Sequence, residues 1–301
     1  MSDTLTEAAE EFATIAPSEP CPEPGIYSGI AAERYHRWDA CSNSRCSALV
    51  RSPAFCRYQI DHPSPSTPSM ELGTALHVAI LEPERFATTY GRGPEGDGRT
   101  KAVRDGMAAI ARDGLLPLRP GDYDACQMAR ASAWANRAVR EVLERAVDRE
   151  LSAVWYHIFD ETDQEMMESL LCKLRIDAAC EGGFILDLKR TKSAQPHAFQ
   201  GSIGTYGYHR QAAMYLDGME ALGRPQKHYL ILAVESTAPY EAALYRIDDE
   251  ALQAGRTELN DLMTRYFVCQ QTGIWSAYPE TIQTIGLPRW AYERAYGGES
   301  L

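Results

Sequence analysis

The stretch from Leu170 to Thr191 constrains the fold more than any other part of the chain. Two short apolar runs, Leu170 to Ala178 and Phe184 to Leu188, are separated by the turn signal Glu181-Gly182-Gly183. Runs of this length around a glycine turn read as a β-hairpin. With the turn centred near Gly182, Asp177 comes opposite position 187 on the second strand, where cross-strand side chains meet. Asp187 and Lys189 are two residues apart, so they share one face of their strand. The hairpin therefore gathers two carboxylates and one amine at a single point.

Those residue types suit metal-dependent phosphodiester hydrolysis. Mg²⁺ takes oxygen ligands, usually one or two carboxylates completed by water and substrate phosphate. A metal so held activates water and stabilises charge on the attacking and leaving oxygens. A neighbouring lysine orients the water or offsets negative charge on the phosphate. The structural alternative is a surface hairpin carrying a Lys–Asp ion pair, since D-x-K is a short pattern.

The elements around the hairpin define an architecture. Helices are expected over Ser42 to Tyr58, Met70 to Leu81, Thr100 to Asp113 and Tyr123 to Arg149, with a glycine-rich loop over Tyr90 to Gly98. Strands follow over Ser152 to Phe159, Glu168 to Ala178 and Phe184 to Lys189. Helices over Pro196 to Ser202 and Tyr206 to Leu222, strands over His228 to Glu235 and Ala242 to Ile247, and a helix over Asp249 to Thr272 complete the order. This order implies an α/β sheet flanked by helices and preceded by a helical region. Residues 1–25 carry six acids, no Lys or Arg, and four prolines near their end, which reads as a disordered acidic tail ahead of one folded unit over 26–301.

Further candidates lie on the helices. Gly73 and His77 are four apart on one face, so the glycine would permit close approach and the histidine could ligate metal. Gln211 and Tyr215 form a second pair at the same spacing, offering an amide and a phenol. Tyr206 and Arg210 add donors suited to phosphate, as do Arg92, Arg99 and Lys101 on or beside the glycine-rich loop. Glu150, at the expected end of the long helix, could supply a further carboxylate. The structural readings of these residues are a hydrogen-bonded core-edge histidine, ordinary amphipathic packing and solvated charges.

A net charge of −12 argues against a protein that coats nucleic acid generally, but the acidic tail accounts for half of it. A localised basic track is expected instead of a basic surface. No apolar run approaches the length of a membrane span, and no basic-then-apolar leader opens the sequence, so a cytoplasmic protein is expected. The eight cysteines then read as reduced structural thiols, and Cys41/Cys46 and Cys172/Cys180 lack the tight spacing of zinc sites.

Taken in order, G-x-x-x-H at Gly73–His77, Asp177 on one strand, D-x-K at Asp187–Lys189 and Q-x-x-x-Y at Gln211–Tyr215 resemble the signature of RecB-type nucleases in the PD-(D/E)xK superfamily. The flanks Leu72 to Pro83, Cys172 to Ala178, Leu186 to Thr191 and Tyr206 to Asp217 are most similar to RecE-type exonucleases (exodeoxyribonuclease VIII), which phages and prophages commonly carry. Arg51-Ser52-Pro53 and Leu287 to Ala291 also fit, and the resemblance covers residues 27 to 292. It implies a restriction-endonuclease-like fold and Mg²⁺- or Mn²⁺-dependent digestion of double-stranded DNA from its ends. It assigns metal and catalytic roles to His77, Asp177, Asp187 and Lys189, supporting roles to Gln211 and Tyr215, and a metal role to Glu150. It also implies a homo-oligomeric ring, 5′→3′ resection, and a single-strand annealing partner in DNA recombination. Ile176 stands where the superfamily name has proline, and Arg190 follows Lys189; neither changes a catalytic group. Related iron–sulfur nucleases carry a late cysteine cluster, whereas only Cys269 lies late here, so no cluster is expected. Two other readings stay open: a catalytically idle DNA-end-binding accessory protein, and an endonuclease or single-strand nuclease using the same site.

Overall fold

The computed structural model describes residues 19–159 and 168–296. Of the expected acidic tail, residues 1–18 lie outside the described residues. From Glu19 the backbone is already paired, donating to Arg37 O at 2.7 Å and accepting from Asp39 N at 3.0 Å.

The elements run β1 (Gly25–Tyr27), α1 (Ala32–Arg37), α2 (Asn43–Arg51), α3 (Pro53–Asp61), α4 (Pro68–Leu81), α5 (Pro83–Thr89), β2 (Tyr90–Arg92), α6 (Lys101–Arg112) and β3 (Leu116–Leu118). They continue with α7 (Pro120–Ala135), α8 (Arg137–Leu143), β4 (Ala146–Ile158), β5 (Ser169–Cys180), β6 (Phe184–Thr191), α9 (Pro196–Tyr206) and α10 (Tyr208–Ala221). The last are β7 (His228–Glu235), β8 (Ala242–Arg246), α11 (Asp249–Thr272) and α12 (Arg289–Tyr296).

Six strands form one mixed sheet in the order β1-β4-β5-β6-β7-β8, with β6 and β7 parallel and the other pairs antiparallel. One apolar layer packs Leu174, Ile176, Ile185 and Ile231 against α2, α10 and α11, with Leu49, Met214 and Tyr266 among its buried side chains. The opposite layer packs Leu186, Leu188, Leu230 and Leu232 against α4, α7 and α8, through Ile80, Ala129 and Val139. Helices on both faces of a mixed sheet are the α/β architecture expected. No helix among the described residues is long and apolar enough to cross a membrane.

Local chemistry explains where elements differ from expectation. The helix expected over Ser42 to Tyr58 is two helices, because Ser52 leaves helical geometry before Pro53, and its hydroxyl accepts from Phe55 N at 3.1 Å to start α3. The helix expected over Tyr123 to Arg149 ends at Ala135. Asn136 restarts the chain as a cap, accepting from Ala138 N at 3.0 Å and Val139 N at 3.3 Å, and its amide donates to Ala242 O at 3.0 Å. Residues from Ala146 onward then belong to β4, so Glu150 lies within a strand and not at a helix end.

Candidate active site

The turn at Glu181-Gly182-Gly183 pairs β5 with β6 at Cys180↔Phe184, Ala179↔Ile185 and Ala178↔Leu186. One step further this register brings Asp177 opposite Asp187, as the hairpin pattern implies. There the backbone ladder stops, and Asp177 Oδ2 accepts the Leu188 amide at 2.8 Å in its place. A second irregularity coincides with the first. Ile176 packs in one apolar layer and Ala178 in the other, although strict alternation would put both on one face. The side-chain alternation of β5 therefore slips at Asp177.

The neighbouring strand is distorted at the same level. Arg149 pairs with Ala178 and Leu151 with Ile176, so Glu150 sits across from Asp177. Glu150 has φ of 53°, a left-handed conformation uncommon for a residue with a Cβ. Such strain persists where surrounding contacts impose it. Here Arg175 Nε donates to Glu150 Oε2 at 2.7 Å, while Arg175 Nη1 is fixed by Ile30 O at 2.8 Å and Ser152 Oγ at 3.0 Å.

His77 arrives from α4, its Nδ1 3.4 Å from Asp177 Oδ2. His77, Glu150 and Asp177 each offer a ligand atom, all within 4.8 Å of one another. Burial raises the Asp177 carboxyl to about 6; His77 opposes the rise, Asp187 and Glu150 add to it, and Lys189 opposes it. Concentrated negative charge of this kind is what a divalent cation relieves. A Cβ on Gly73, one turn before His77, would meet nothing within 4 Å. The glycine leaves open space beside the histidine.

Asp187 and Lys189 project from β6 toward α10. Asp187 is buried, and its Oδ1 accepts from Gln211 Nε2 at 3.0 Å. Its Oδ2 lies 2.7 Å from Lys189 Nζ, an ion pair buried between the sheet and α10. Burial works against the Lys189 charge, but Asp187 and Asp177 outweigh it and hold the ammonium above the ordinary lysine range. Tyr215 packs beside this pair, its phenol pushed up to about 12 by burial and by Asp187. The proposed metal set is thus divided: three members cluster within 4.8 Å, and Asp187 is outside that group, facing Lys189 and Gln211.

The candidate phosphate contacts differ in exposure and pairing. Arg92 Nη2 is paired with Glu95 at 2.6 Å and Asp124 at 2.8 Å. Arg99 and Lys101 are exposed where the loop meets α6. The Arg210 guanidinium is buried, with Nη1 2.7 Å from Glu258 Oε2. Tyr206 is exposed at the end of α9. Two residues not singled out from the sequence, Arg175 and Tyr229, join the site, beside Tyr208 of the Tyr206–Arg210 stretch. Arg175 aligns Glu150, and its spacing two before Asp177 was the available signal. Tyr208 places its ring 5.0 Å from Lys189 Nζ. Tyr229 packs edge-on to Tyr215 with ring centroids 6.1 Å apart, and nothing local in an apolar strand marks it.

Comparisons with known proteins accord with this fold. A family model described as a PDDEXK-like domain of unknown function (DUF3799) matches residues 44–288. A crystal structure of a candidate exonuclease from Eubacterium rectale superposes with a TM-score of 0.58 at 11% identity, covering 90% of this chain and 100% of that one. An alkaline exonuclease from Laribacter hongkongensis matches with a TM-score of 0.24 at 12% identity, over 66% of this chain and 91% of that one. No curated protein matches the sequence significantly.

Proposed function

The chain belongs to the PDDEXK-like domain family of unknown function, and from that premise we propose that it is a divalent-metal-dependent exodeoxyribonuclease acting on ends of double-stranded DNA. The observation that carries this reading is the convergence of His77, Glu150 and Asp177 within 4.8 Å beside the Asp187–Lys189 pair. A structural ion-pair network has no need for a left-handed Glu150 and a slipped strand at one level of the sheet.

The donor set fits a divalent ion. Carboxylate oxygens suit Mg²⁺, and a histidine nitrogen shifts preference toward Mn²⁺. His77, Glu150 and Asp177 would hold it, with Asp187 Oδ2 as a further oxygen. Bound there, such an ion supplies Lewis-acid stabilisation of the phosphoryl oxygens and lowers the pKa of water.

The chain's own residues do the rest. Lys189, kept charged by two carboxylates, orients the attacking water and offsets charge gathering on the scissile phosphate. Gln211 fixes the Asp187 carboxylate so that Lys189 is presented in one orientation. Arg175 does the same for Glu150. The open ground beside Gly73 leaves room for the sugar–phosphate backbone to approach His77. Arg92, Arg99 and Lys101 offer phosphate contacts, which would make binding weaken with salt.

The motif order favours a RecE-type enzyme within the superfamily. On that reading the protein is Mg²⁺-dependent, resects 5′→3′ in the cytoplasm, and leaves 3′ strands for an annealing partner in recombination. It would act as a homo-oligomeric ring. Incubation with linear and closed-circular duplex, labelled at either terminus of the linear form, tests the end requirement and polarity together. Release of 5′ label from linear DNA alone supports the reading; nicking of closed circles makes it an endonuclease.

A further inference from the structure

Beside the metal-ligand cluster lies a pair of tyrosines that phosphodiester hydrolysis itself does not need. Helix α9 ends at Tyr206 and α10 begins at Tyr208, with only Gly207 between them. Gly207 is left-handed at φ of 68°, a conformation that favours glycine, and the Arg210 guanidinium occupies the space a Cβ would take. The turn stacks the two flanking rings, with centroids 5.7 Å apart and 27° between their planes.

The pair is anchored from within. Tyr208 lies 5.0 Å from Lys189 Nζ, a cation–π contact to the lysine of the site, and 6.1 Å from the buried ring of Phe199. Tyr206 is the outer ring and is 62% exposed. A continuous series therefore runs from Asp187 through Lys189 and Tyr208 to a tyrosine that presents most of its surface to solvent.

We infer that Tyr206 is a stacking platform for an exposed nucleobase face next to the scissile phosphate. This rests on the nuclease reading above and adds to it the part of the substrate that is recognised. Three features favour a base over a phosphate. The ring is already ordered by stacking on Tyr208, so little freedom is lost when a second plane is added. The cations beside the turn are committed, Lys189 to Asp187 and the inner ring, and Arg210 to Glu258. Aromatic stacking is also indifferent to base identity, as digestion of arbitrary sequence requires. Inside a duplex both faces of each base are covered by neighbours. A free face occurs at a terminus or in a single strand, so the platform selects ends by their chemistry.

The test places 2-aminopurine at the terminus of a duplex, at an interior duplex position, or in a single strand. Fluorescence is read with Ca²⁺ and without Mg²⁺ or Mn²⁺, so that binding is observed without turnover. Wild type and Tyr206→Phe should quench the terminal and single-strand labels alike and leave the interior label unchanged. Tyr206→Ala should bind these ends roughly 5- to 150-fold more weakly, the range expected for one lost base–aromatic stack. Because Tyr206 is exposed, the Ala variant should melt with the wild type. Quenching that survives in Tyr206→Ala, quenching of the interior label, or none by the wild type overturns the inference. If the expected pattern appears but no divalent ion supports hydrolysis, the nuclease reading fails and the platform stands. If DNA is cleaved and Tyr206→Ala binds and cleaves like wild type, the platform fails alone.

Discussion

Lys189 Nζ lies 2.7 Å from Asp187 Oδ2, and the two side chains leave the same face of one strand two residues apart. The pair is held from the helical side, where Gln211 donates to the other Asp187 oxygen at 3.0 Å. In the metal-free protein the two carboxylates more than offset burial and favour the charged ammonium. The role proposed for it is electrostatic and orienting.

That assignment predicts different outcomes for three substitutions. Lys189→Ala should lower kcat by about 10²–10³, the cost of removing one stabiliser of transition-state charge. Lys189→Arg should retain part of the rate, since the charge remains but its position shifts. Gln211→Ala should lower kcat by less, roughly tenfold, because a 1 Å loss of orientation costs rate without removing a charge. Single-turnover cleavage separates these from changes in product release.

Metal occupancy is predicted to be visible without DNA. An ion that binds the folded state alone stabilises it by about 2.7 kcal/mol at a hundred times its Kd. Mn²⁺ should therefore raise the Tm of the wild type. Glu150→Gln and Asp177→Asn should abolish most of that rise, because they remove members of the three-residue cluster. Tyr206→Ala should keep it.

The pH dependence of the metal-free protein follows from Asp177. Its folded pKa is raised to about 6, chiefly by burial, against roughly 3.9 for an unfolded aspartate. The folded state thus holds this proton more tightly. The group's contribution is most favourable below about pH 4, declines as pH rises toward 6, and is constant above. Asp177→Asn should stabilise the metal-free protein by about 1–3 kcal/mol at pH 8, with the gain fading near pH 4. Urea unfolding at the two pH values measures it.

Much of this arrangement was legible in the sequence. The glycine turn sets the β5–β6 register, and that register puts Asp177 level with Asp187. Strand β7 and helix α11 are legible end to end, since an unbroken apolar run marks the one and helical spacing the other. Glu150 lies in a strand where a helix end is expected, because its environment is made by Arg175, which is itself held by distant Ile30 and by Ser152. The left-handed turn of a glutamate carries no local signature. Tyr229 is one apolar strand residue among several until the sheet places it under Tyr215.

Gly73 offers a separate check on where substrate approaches. A leucine there would project into space that the protein leaves empty. Gly73→Leu should raise KM for DNA several-fold while leaving the Mn²⁺-induced shift in Tm unchanged. Loss of the thermal shift would mean that the space belongs to the ion's own shell.

Lys173 should matter to stability alone. Its buried ammonium donates to the carbonyls of Tyr35, His36 and Trp38 at 2.9, 3.3 and 2.6 Å, pinning α1 to β5. Lys173→Met leaves those buried acceptors unpaired and should cost about 2–4 kcal/mol in chemical denaturation. Cleavage by the fraction that stays folded should be unaffected.

The most direct measurement of the central claim is cleavage of end-labelled linear duplex by wild type, Asp177→Asn and Asp187→Ala, each with Mg²⁺, Mn²⁺ or EDTA. The geometry predicts degradation by the wild type with either ion, none with EDTA, and none by either variant although both remain folded. Cleavage that persists in the variants or in EDTA, or a folded wild type inert with every divalent ion, would contradict it.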